Sequence, residues 1–102
     1  MAQINWTDQA KADLVKIGEF IAKDSVKYAI LTIQRIRERA RQLKSFPFSG
    51  RVVPEVEIKE LREIVFGNYR IIYQIISSTR IDVITVHHTS QEFKDEAGNE
   101  NI

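Results

Sequence analysis

Residues 61–73 read LREIVFGNYRIIY, two apolar runs on either side of a Gly-Asn pair. Gly67 and Asn68 both tolerate positive φ and are frequent in tight turns, while the flanking Ile, Val, Phe and Tyr are strand formers. The pattern predicts a β-hairpin with strands near residues 58–66 and 69–76. Each arm carries one arginine, Arg62 and Arg70. A guanidinium is always charged and costly to bury alone, so each must face solvent, pair with a carboxylate, or wait for an anion.

What precedes the hairpin has a different period. Residues 2–6 (AQINW) alternate well enough for a short first strand, with Ile4 on one face. Thr7 and Asp8 offer side-chain oxygens to the free amides of a helix start. Ala10, Leu14, Ile17 and Ile21 then recur at steps of four, three and four, with Phe20 widening the stripe, so a first amphipathic helix should run to about Lys23. Asp24 and Ser25 mark a break and cap a second helix, whose seam is Ala29, Ile33, Ile36, Ala40 and Leu43. Phe46-Pro47 stops it, because proline disfavours helical geometry in the residue before it. Residues 52–55 (VVPE) are expected to be extended up to Pro54, residues 77–79 (SST) to turn, and residues 81–88 (IDVITVHH) to form a last strand. The order is therefore β-α-α-β-β-β, an α+β domain with a helical hairpin packed on a small, mainly antiparallel sheet. One face of the sheet should stay partly open.

Composition narrows the function. The chain has 102 residues, room for one core, and residues 1–93 are expected to be a single domain with 94–102 (KDEAGNENI) as a flexible tail. With 43% hydrophobic and 28% charged residues it has the balance of a soluble globular protein. The expected setting is the cytoplasm, with no signal peptide and no membrane partner. There is no cysteine, hence no disulfide and no thiolate metal site or nucleophile. A net charge of +1 lends little support to nucleic-acid binding by bulk electrostatics. No phosphate loop or metal-ligand spacing is present, so neither a cofactor nor a metal is expected.

Two constellations carry chemistry. On the second helix Arg37, Arg41 and Lys44 fall at i, i+4 and i+7, broadened by Arg35 and Arg39. Such a stripe commonly does no more than face water; alternatively it contacts an acidic partner or phosphate. Around the sheet, Glu55, Arg62, Arg70 and His88 gather towards one end. Ile71, Tyr73 and Ile75 make the more apolar face of their strand, so Arg70 should project from the other. A carboxylate or imidazole beside two guanidiniums suits phosphodiester cleavage by the ribose 2′-hydroxyl: one group takes the proton, another returns it, and the arginines hold the phosphorane. Taken singly these residues are more often surface or ion-pairing groups.

The segments WTDQAKADLVKIGEFIAKDS, FPFSGRVVPE and LREIVFGNYRIIY, and a last strand ending VHHTS, come in an order and spacing that resembles the RelE/ParE superfamily of toxins from type II toxin–antitoxin (plasmid stabilisation) modules. The likeness spans roughly residues 6–88. It implies a growth-arrest protein whose partner is a labile antitoxin, with Arg37, Arg41 and Lys44 suited to an acidic amphipathic antitoxin segment. RelE-like members cleave mRNA on the ribosome, whereas ParE-like members inhibit DNA gyrase. On the first reading Arg70 matches the phosphate-stabilising arginine, and Glu55, Arg62 and His88 resemble the remaining catalytic set, with His88 preferred to His87 for sharing the face of Arg70. That complete set favours a metal-independent endoribonuclease. The spacing of Arg62 and Arg70 and the GRVVPE loop are closer to ParE-like sequences. A third alternative is a non-toxic module that only binds its antitoxin.

Overall fold

The computed structural model describes residues 1–90 and Phe93; the tail assigned to residues 94–102 lies outside the described residues. The elements are β1 (Gln3–Trp6), α1 (Asp8–Ala22), α2 (Val26–Arg41) followed by a short 3-10 turn (Gln42–Lys44), β2 (Arg51–Val52), β3 (Leu61–Phe66), β4 (Tyr69–Ser77) and β5 (Arg80–His88). The expected order holds, with the addition of the two-residue β2. Residues 58–60, expected to open the hairpin, instead lead into it as a turn.

Each helix begins where the sequence places a cap. Thr7 accepts a hydrogen bond from the Ala10 amide at 3.1 Å and Ser25 one from the Tyr28 amide at 3.0 Å, serving free donors of the first turns. The hairpin turn needs positive φ at Gly67 alone (57°), with Asn68 remaining at negative φ.

The five strands order β1-β5-β4-β3-β2. β1 pairs in parallel with β5, and the other neighbours are antiparallel. α1 and α2 lie on one face. Ala10, Leu14, Ile36, Ala40 and Leu43 pack there with Ile64, Ile71, Tyr73, Ile81, Val83 and Val86 in one core. Phe20 is a correction to the expected seam: its ring is 69% exposed and meets Lys23 Nζ instead of the core. The opposite face is less open than expected. Val53, Leu61, Ile72 and Phe93 form a second, smaller core there, joined by Val56 and Ile84.

β5 is irregular, and this decides the site. Asp82 pairs with Gln74 and Val83 with Tyr73, but Thr85 pairs with Ile72, which leaves Ile84 as an extra residue, a β-bulge. Beyond the end of β1, Asp13 of α1 accepts bonds from the Val86 amide (3.0 Å) and the Thr85 hydroxyl, satisfying an edge that no strand covers among the described residues.

Candidate functional site

Arg70 does leave the sheet on the side away from the helices, on the same face as Ile72. It does not reach open water. It is 6% exposed, and its guanidinium is engaged by two carboxylates. Nη1 and Nη2 donate to both oxygens of Glu55 at 2.7 and 2.8 Å, while Nε donates to Glu63 at 2.7 Å. Glu63, fully buried in β3, also takes Arg51 at 2.5 Å. Among the described residues, two arginines and two glutamates thus alternate in a network whose formal charges cancel. Such closure makes a buried charge tolerable, since each ion loses hydration and must recover it from partners.

Electrostatics record the same arrangement. The hydrogen bonds from Arg70 hold the Glu55 carboxyl down to about 2 from 4.5, against the opposing effect of burial. Glu55 in turn raises the Arg70 guanidinium further. Glu55 also accepts the Phe93 amide at 3.1 Å, tying the chain beyond β5 to the network. Arg51, Glu55 and Arg70 border a depression of about 320 Å³, with Val65 and Pro54 on its rim.

The other expected members lie elsewhere. Arg62 pairs with Tyr73 across the hairpin, and Tyr73 faces the helices, so the two arginines stand on opposite faces of the sheet. Its guanidinium donates to the carbonyls of Lys59 (2.9 Å), Gly50 (3.0 Å) and Phe48 (3.3 Å) and lies 4.9 Å from the centre of the Phe48 ring. His88 is likewise on the wrong side: it pairs with Tyr69, and their rings meet edge to face at 5.9 Å. The residue opposite Arg70 is His87. Unbroken alternation from Ile81 and Val83 would have put His88 on the face of Arg70; the extra residue at Ile84 reverses the parity of all that follows. His87 is half-buried against Phe93, its Nδ1 has no hydrogen-bond partner among the described residues, and burial lowers its basicity.

Glu63 is, with Arg51, the member of this network that was not expected at the site. A glutamate amid LREIVF could have marked it, because a carboxylate on a buried strand requires a cation nearby.

Of the basic stripe, Arg37 and Arg41 lie on α2 and Lys44 in the 3-10 turn that follows it. Arg37, Arg41 and Lys44 border a recess of about 200 Å³ whose remaining walls are Ile4 and Trp6. The Arg37 guanidinium lies 5.6 Å from the Trp6 ring centre. β1 is the outermost strand, so this cationic recess runs beside a sheet edge. The outer surface of the helical hairpin adds Val15, Phe20, Val26 and Ile30, each more than half exposed.

Among the described residues no group of His, Asp and Glu could hold a metal ion, and no helix is long and apolar enough to cross a membrane.

Residues 4–93 match the family described as ParE toxin of type II toxin-antitoxin system, parDE. The chain is 32% identical to Y4kP of Sinorhizobium fredii, over 89% of this chain and 92% of that protein. It is 28% identical to toxin RelE2 of Caulobacter vibrioides, over 89% of this chain and 99% of that one. A solved chain of the chromosomal ParDE system of P. aeruginosa superimposes with a TM-score of 0.72 at 20% identity, covering 86% and 96% of the two chains, a likeness of fold.

Proposed function

The chain belongs to the ParE toxin family of type II toxin–antitoxin systems, and from that premise we propose that it arrests growth by binding a protein target and not by cutting mRNA. DNA gyrase is the target that likeness to the ParE-like branch of the superfamily implies.

The observation that carries this reading is the double engagement of Arg70. A phosphate entering beside it would have to displace Glu55 from a bidentate bond and then lie near the buried charge of Glu63. Glu55, with its carboxyl held at about 2, is a poor proton acceptor at neutral pH. Arg62 and His88 are carried on the other face, so neither is placed to contact an anion bound at Arg70. On this reading the network is structural: it fastens the segment around Glu55 to the sheet.

One observation favours the nuclease instead. His87 lies directly across from Arg70, so an imidazole and a guanidinium do share a face. The discriminating experiment expresses the chain without its antitoxin and follows two readouts. The proposal expects arrested growth with full-length transcripts, and inhibition of gyrase supercoiling by purified protein. Translation-dependent mRNA cleavage in the arrested cells would overturn it. Normal growth would instead support the non-toxic module.

The partner of a family member is its cognate antitoxin. We place that partner's acidic segment in the Arg37, Arg41 and Lys44 recess beside β1, with its apolar side chains on the exposed face of the helical hairpin. Opposite charge steers and orients such a segment, and apolar burial holds it.

A further inference from the structure

The loop between the 3-10 turn and β2 is held from beneath more firmly than an ordinary connection. The Tyr73 hydroxyl, in the middle of the core, accepts the Gly50 amide at 3.0 Å and donates to the Pro47 carbonyl at 2.6 Å. Arg62 takes the carbonyls of Phe48 and Gly50, and the Ser49 amide bonds to the Phe46 carbonyl at 3.1 Å. Gly50 fits so closely that a Cβ there would come within 2.5 Å of the Glu63 carbonyl oxygen. Yet the two phenylalanines of this fixed loop point outward, Phe46 67% and Phe48 52% exposed. Aromatic side chains presented to water from a backbone already held in place suit interface hot spots, because no loop ordering is needed when they are covered.

The surroundings are cationic. Arg62 lies on one face of Phe48, and Arg39 and Arg62 are close enough to act electrostatically on the Tyr73 hydroxyl. Lys44 and Pro47 border an adjoining recess of about 400 Å³. The guanidinium over one face of Phe48 already commits its Nε and Nη1 to carbonyls, so it has little left to offer a phosphate. With those donors engaged, the exposed rings and the surrounding positive charge best suit an acidic protein surface with an apolar recess.

We propose that Phe46 and Phe48, with the cations around them, form the surface through which this protein docks on the acidic face of its protein target. The inference rests on the reading of the chain as a protein-binding toxin and assigns the residues that make the contact.

The test is the double variant Phe46→Ala/Phe48→Ala in the full chain. Because both rings are exposed, its melting temperature and its affinity for the cognate antitoxin should match the wild type. Plating efficiency on expression without antitoxin should rise by roughly a hundredfold, as expected for loss of two anchors. Undiminished arrest by the folded variant overturns the proposal, as does weakened antitoxin binding with arrest intact, which would give the loop to the antitoxin. Wild-type binding to oligo-uridine RNA that is lost in the variant also overturns it, in favour of a nucleic-acid surface. A wild-type chain that causes no arrest overturns both this inference and the reading beneath it. Failure of the wild type to inhibit purified gyrase rejects gyrase alone, while the plating comparison still decides the role of the loop.

Discussion

Arg70 shows how little a residue's identity says about its use until its partners are placed. Truncating it would leave Glu63 buried with the exposed Arg51 as its one counter-ion among the described residues. Arg70→Met is expected to cost on the order of 3 kcal/mol in chemical denaturation, the usual penalty for orphaning a buried charge. Adding Glu63→Leu should recover much of that loss, because an apolar pair needs no counter-ion. The repaired double variant should still arrest growth, whereas a catalytic arginine could not be replaced in this way. Acid supplies a second test at the same scale. The Glu55 carboxyl titrates near 2 in the fold and near 4.5 when free, so the folded state binds fewer protons between those values. Its contribution, roughly 2 to 3 kcal/mol, is complete above pH 4.5 and is lost as pH falls towards 2. Glu55→Gln should flatten the stability profile in that window. His87, whose basicity is lowered by burial, should add a gentler decline that begins as pH falls below 6.5.

Among the elements, β5 and the loop after α2 contribute most to the site. The bulge at Ile84 sends Val86 into the helix-side core and His87 to the side of Arg70. No periodicity in IDVITVHH announces it, since isoleucine, valine and threonine suit either face of a strand. The loop is different, because its glycine is a steric necessity. Gly50→Ala would press a methyl group against the Glu63 carbonyl oxygen and the Tyr73 hydroxyl, at 2.5 and 2.6 Å. A loss of about 1 to 3 kcal/mol is expected, read as a lowered melting temperature, with the hydrogen bond from Gly50 to Tyr73 the first to give way. The helices need no such explanation. Their apolar spacing and their Thr7 and Ser25 caps were legible from the residues, and only Phe20 fell outside the seam.

For the whole molecule, the decisive quantity is where charge lies and not how much there is. A net charge of +1 conceals a cationic recess at one edge and a neutralised network on the far face. Replacing Arg37, Arg41 and Lys44 by glutamine should weaken antitoxin binding by roughly tenfold, given modest gains per exposed pair. Titration calorimetry at two salt concentrations should also find a shallower salt dependence than in the wild type. Unchanged affinity would move the antitoxin's seat elsewhere.

Local patterning by itself determined the element order, the hairpin turn, the helix caps and the direction in which Arg70 leaves its strand, because those depend on neighbours within a turn or a strand pair. Only the tertiary structure decided that Glu55 and Glu63 close on Arg70, that Arg62 grips the loop under Phe48, and that His87 stands where His88 was expected. Each of these depends on residues brought together across the sheet, and one unpatterned extra residue is enough to exchange its faces.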